Sequence, residues 1–169
     1  MPRTRDVAAR IALVGALTAL AACTEERVAE KPRFYQSLAA PGAAVDSASA
    51  AGMISAYRRN HGLAPLALDE TLQGVAAAEA EAMAAADRPA SADTLKAKLA
   101  AAGVAGASAN ISAGYHTLAE AFSGWRDSPA HNRVMLDPAA TRMGIATAFA
   151  PGSKYKVYWV LAVAAPAAR

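Results

Sequence analysis

Residues 46 to 166 predict an α+β domain, a three-layer α-β-α sandwich with a central antiparallel sheet. Three observations carry that prediction. Four segments repeat apolar residues at helical spacing, each closed by a turn or cap signal. Shorter strand-like runs separate them, two of which are joined by Ala150-Pro151-Gly152-Ser153, whose Pro-Gly centre suits a type II turn. The last run, Tyr155 to Val163, is apolar on both faces and so should be covered from both sides.

The first helix is predicted from about Ser47 to Arg59, with Met53, Ile54 and Tyr57 on one face and a stop at Asn60-His61-Gly62. The second follows Asp69 and lines up Leu72, Val75, Ala76 and Met83. At 100° per residue Glu79 falls within that apolar face. The third begins near Asp93, buries Leu95 and Leu99 and stops at Gly103. The fourth opens on a capping box, Thr117-Leu118-Ala119-Glu120, and buries Leu118, Phe122 and Trp125. Strands are predicted at Ala109 to Gly114, Met143 to Phe149 and Tyr155 to Val163.

Ahead of this domain the chain, 169 residues in all, reads as an export segment and a spacer. Arg3, Arg5 and Arg10 form a basic head, and Ile11 to Ala22 an apolar run that is too short for a bilayer, which needs about 20 residues. The run ends Leu20-Ala21-Ala22-Cys23, which is similar to the bacterial lipobox. Residues 1–22 are therefore expected to be a lipoprotein signal peptide, and Cys23 the lipidated mature N-terminus. An ordinary cleavable signal, or a cytosolic chain with a chance cysteine, is the alternative. Two or three acyl chains would anchor firmly, each buried methylene contributing about 0.8 kcal/mol. Residues 23–45 are expected to be the lipidated cysteine and a flexible tether. Thr24, rather than Asp, after the cysteine suggests outer-membrane sorting facing the periplasm if the cell is Gram-negative.

Charge and cysteine usage exclude other classes. Losing the signal removes three of 17 basic and one of 14 acidic residues, so the net charge falls from +3 to +1. No basic stripe or basic–aromatic cluster supports nucleic-acid binding. Cys23 is the only cysteine, so an intramolecular disulfide is impossible and the domain must rest on its core.

Several ordered motifs then resemble one family. Tyr57-Arg58-Arg59-Asn60-His61-Gly62-Leu63-Ala64-Pro65-Leu66, with Asp69 and Leu72, resembles the opening helix and loop of the CAP superfamily. Its members are the cysteine-rich secretory, antigen-five and pathogenesis-related proteins, and their domain is also called SCP. Ala109-Asn110-Ile111-Ser112-Ala113-Gly114 stands where the family carries Glu-Asn-Ile. Trp125-Arg126-Asp127-Ser128-Pro129-Ala130-His131 is similar to the bacterial branch's Trp-x-x-Ser-Pro-x-His, and Met143-Gly144-Ile145 and the Tyr158-Trp159 strand follow in order. The resemblance implies the same three-layer sandwich and a cleft that in many members holds two histidines and two acids, sometimes with zinc.

That cleft is incomplete here. Ala109 takes the place of the first glutamate, Ser91 falls near that of the first histidine, and Ser128 near that of the second acid. Asn110 lies beside Ala109, and His131 alone survives. A catalytic zinc needs three protein ligands, which His131, with His61 and His116 in surface turns, does not supply; no metal or cofactor is expected. Ser128 with His131 could be a nucleophile and base, but Ser-Pro at a helix start is favoured as a cap. Glu79 could be a cleft acid with a raised pKa, or could reach solvent or a basic partner from the edge of its face; the latter is favoured. Trp125, Tyr158 and Trp159 read as core and cleft walls rather than a ligand cage. The expectation is a membrane-tethered envelope lipoprotein and a non-catalytic binding or structural module. Its partners would be membrane lipid through Cys23 and a lipid-like, envelope-polymer or protein ligand. The alternative is a hydrolase using His131 with Ser128 or Glu79.

Overall fold

In the computed structural model, which describes residues 31–167, nine elements follow a short 3-10 turn at Arg33–Tyr35. They are α1 (Ser47–Asn60), β1 (Ala67–Leu68), α2 (Glu70–Ala86), α3 (Ala92–Ala101), β2 (Ser108–Ala113), α4 (Leu118–Asp127), α5 (Pro129–Met135), β3 (Arg142–Phe149) and β4 (Val157–Ala164). Side-chain caps start the first four helices. Asp46, Asp69, Ser91 and Thr117 each accept from a backbone N–H of the first turn, and Thr117 with Glu120 completes the capping box.

The sheet order is β1-β3-β4-β2. β4 pairs antiparallel with both β2 and β3, as the sequence predicts, while β1 adds a two-residue parallel edge to β3. All eight residues of β4 are buried. Their alternation sorts them into two cores: Val157, Trp159, Leu161 and Val163 pack with Ile54, Leu118, Trp125 and Met135, and Tyr158, Val160, Ala162 and Ala164 pack with Leu72, Met83, Leu95 and Leu99. The first core lies under α1, α4 and α5, the second under α2 and α3. Three layers result, with β4 at the centre.

α2 crosses β3 at Gly144. A Cβ there would stand 2.3 Å from the carbonyl carbon of Leu72, so only glycine lets helix and strand backbones meet this closely. Gln73 exploits the approach, donating from Nε2 to the Ile145 carbonyl at 2.7 Å and accepting from the Ile145 N–H at 3.1 Å.

Two expectations need correction. The spacer 23–45 is not a free tether throughout, because Leu38 and Val45 enter the first core. The Leu38 N–H donates to the His116 carbonyl at 2.7 Å, and the Val45 N–H to Thr147 Oγ1 at 3.0 Å. The Cys23 anchor and the signal lie outside the described residues. The turn between β3 and β4 is also not type II. Ser153 donates back to the Ala150 carbonyl at 3.1 Å, but the left-handed residue a type II turn demands is not Gly152. Positive φ falls at Lys156 instead, at 63°, in a seven-residue loop held by Lys156 Nζ on the Pro151 carbonyl.

Candidate functional site

β2 is an edge strand, so one of its flanks is left open between α3 and α5. A groove of about 490 Å³ runs there, lined by Ala90, Ala92 and Lys96 from the α3 side, Ser108 to Ile111 of β2, and Ala130, His131, Arg133 and Val134 of α5. Strand alternation divides the roles of neighbours on β2. Ala109 faces the second core. Asn110 faces the other way and donates from Nδ2 to the His131 carbonyl at 3.0 Å. That bond pins α5 against the strand and sets the position of the imidazole.

The His131 ring is half-buried, and burial pushes its pKa below the ordinary histidine value, favouring the neutral form. Asn110 is wholly buried, and its Oδ1 is the one buried side-chain polar atom without a hydrogen-bond partner among the described residues. Ser108 Oγ donates to Asp137 Oδ2 at 2.9 Å, which holds that carboxylate behind the hydroxyl. No carboxylate lines the groove itself.

Of the residues that the sequence singles out, Ala109, Asn110 and His131 meet here. Ser91 and Glu79 do not. Ser91 caps α3, accepting from the Thr94 N–H at 3.1 Å, while its neighbours Ala90 and Ala92 line the groove. Ser91 lies instead on a separate hollow shared with Glu79. Glu79 is buried within the apolar face of α2 rather than at its edge, and its carboxylate is held by Lys98 of α3, so of the favoured reading the basic partner is found and the solvent exposure is not. Ser128 is the N-cap residue of α5, with Pro129 at the first helical position, but its hydroxyl makes no cap hydrogen bond. Its backbone does the work, the Ser128 carbonyl accepting from the Asn132 N–H at 2.8 Å. No hydrogen bond joins His131 to Ser128 or Glu79.

One residue that sequence reasoning passed over is Arg58. It is fully buried, and its guanidinium donates to the carbonyls of Ala64, Met135, Asp137 and Ala140 at 2.8–2.9 Å. It ties α1 to the end of α5 and the approach to β3. Tyr57 supports the same junction, its hydroxyl donating to Asn132 Oδ1 at 3.1 Å. The available signal was spacing, since position 58 continues the buried stripe of Ala50 and Ile54.

Comparison with known proteins now decides the family. The pattern described as "CAP: Cysteine-rich secretory protein family" matches residues 51–163, well over half of the chain. The chain belongs to the CAP family. Its fold recurs in solved CAP-type structures. An extracellular protein containing an SCP domain from Bacillus anthracis str. Ames superposes with TM-score 0.60 at 20% identity, over 71% of this chain and 40% of that one. A cysteine-rich secretory protein from Staphylococcus aureus subsp. aureus Mu50 gives 0.59 at 17%, over 70% and 38%. An outer surface protein from Borrelia burgdorferi gives 0.58 at 15%, over 68% and 87%. The chain thus spans about two fifths of the first two proteins. No curated protein matches the sequence. The groove beside His131 lies within the span that the family pattern covers, with Ala109 among its lining residues.

Proposed function

We propose that this CAP protein is exported, held to the cell envelope by a lipid on Cys23, and works by binding a ligand in the His131 groove rather than by catalysis. The carrying observation is the make-up of that groove. It is large enough for a small ligand, yet apart from His131 its lining is apolar residues, a serine, an asparagine and two cations, with no acid among them. A general base or nucleophile must stand within hydrogen-bond reach of its partner. Ser128 makes no bond to His131 and Glu79 is engaged by Lys98, which favours binding over hydrolysis. Among the described residues, no group of three His, Cys, Asp or Glu side chains converges, and this supports a role independent of a bound metal. Export and envelope placement rest on the lipobox-like end of residues 1–22. The extracellular and outer-surface descriptions of the structural neighbours agree with them. The test is unbiased mass spectrometry of small molecules and lipids carried by the purified protein, beside a His131→Ala variant. A compound retained by the wild type and lost from the variant is expected. A protein that carries nothing, or one whose cargo ignores His131, removes the binding role from this groove.

A further inference from the structure

We infer that the His131 groove takes a hydroxylated anion, a ligand of the sugar-acid or sugar-phosphate kind. The inference rests on the binding role proposed above and adds the chemical class. Two cations line the groove, Lys96 on α3 and Arg133 on α5, facing it from opposite sides. Arg133 takes part in none of the ion pairs among the described residues. Lys96 has only an exposed contact with Asp93, one turn back on its own helix, at 3.2 Å, a pair of a type that contributes little in water. Asp137 stands behind the lining Ser108 and is already engaged by its hydroxyl. A carboxylate or phosphate entering the groove therefore meets positive charge with no lining carboxylate to oppose it, and arginine offers it a two-pronged donor.

The second observation concerns a donor on the ligand. Asn110 Oδ1 is buried without a partner, while the Nδ2 of the same amide is used on the His131 carbonyl. Buried acceptors in folded proteins are nearly always satisfied, and an anion alone cannot satisfy one. Asn110 itself lines the groove, so a ligand that carries hydroxyls next to its acid group can satisfy this oxygen once a small movement of the amide uncovers it, since it is closed to solvent as it stands. The lining is also unsuited to an acyl chain: it contains no aromatic side chain, and its apolar members are four alanines, Ile111 and Val134.

Histidine spectra test this with internal controls, because the chain has three histidines and only His131 lies in the groove. The full chain, with isotope-labelled histidine and in a neutral detergent, is titrated with glucuronate, glycerol phosphate, glucose and acetate. Glucuronate and glycerol phosphate should each shift the His131 ring signals saturably and leave those of His61 and His116 unmoved. The tighter of the two identifies the acid group. Glucose, without the charge, and acetate, without the hydroxyls, should be at least about tenfold weaker. The exposed-site variant Lys96→Ala with Arg133→Ala should lose about tenfold in affinity, while Lys154→Ala, which removes a cation outside the groove, should match the wild type. Glucose binding as tightly as glucuronate, or a double variant that binds as the wild type does, overturns the inference. A His131 response to an uncharged monoacylglycerol but to neither acid overturns it too, and leaves the binding role standing. Silence towards every compound, with no cargo in the mass spectrum, brings down both.

Discussion

A guanidinium taken out of water without a carboxylate partner is tolerable only when its donors find acceptors, and Arg58 finds four backbone carbonyls. Burial lowers its pKa, and the Asp137 charge partly offsets that. Replacing it with Met would keep much of the volume but leave those carbonyls short of donors. Chemical denaturation of Arg58→Met should show a loss of about 3–5 kcal/mol, with Arg58→Lys intermediate. A change under about 1 kcal/mol would mean that water reaches those carbonyls. His131 offers a second residue-level test. Its folded pKa is depressed by burial, so the unfolded chain binds the proton more readily. Its contribution to stability should be fully present above the ordinary histidine value of about 6.5 and fade as pH falls through and below it. Unfolding of wild type and His131→Gln between about pH 5 and 8 should show that fade only in the wild type.

Among the elements, those with a long clean period were readable and those set by tertiary contact were not. α2, α4 and β4 announce themselves through capping residues and repeated apolar positions, and all three stand within a residue or two of prediction. β1 has two residues and no period. It exists because the Ala67 N–H reaches the Thr141 carbonyl and the Asp69 N–H that of Met143, pairings no local pattern encodes. The 31–45 segment went unread for the same reason, its two anchors Leu38 and Val45 being far apart and aperiodic. In the candidate site, the resemblance located His131, Ala109 and Asn110, whereas it placed Ser91 by loop length, and loop length does not say which side of α3 a cap residue will face. Helix α4 gives the element-scale prediction. Trp125 is fully buried, stands edge-on to Trp159 at 5.9 Å, and donates from Nε1 to Ser112 Oγ at 3.1 Å. Trp125→Ala should cost about 3–5 kcal/mol in denaturant unfolding; a loss below about 1 kcal/mol would contradict its place in the core.

For the molecule as a whole, the fold is that of its family and the cleft is its own. The sandwich surrounds a groove lined by two cations and no carboxylate, and the fold alone does not say what enters it. How the protein is held in place is a separate matter. Replacing Cys23 with Ala should block lipid attachment, leaving an unprocessed or differently processed chain that no longer partitions with membranes. Intact-mass measurement and fractionation check this, and a variant with the wild-type mature mass and membrane fraction would refute the anchor.

The position of β4 carries a consequence for how such a chain is made. The strand that both cores share, and to which both neighbouring strands bond, comes after every other element in chain order. A nascent chain emerging N-terminus first can form helices early, but it has no sheet to lay them on until residues 157–164 arrive. Packing of the helices onto their sheet thus waits for the last strand, and an export route of the kind proposed above would receive a chain whose two cores are not yet closed.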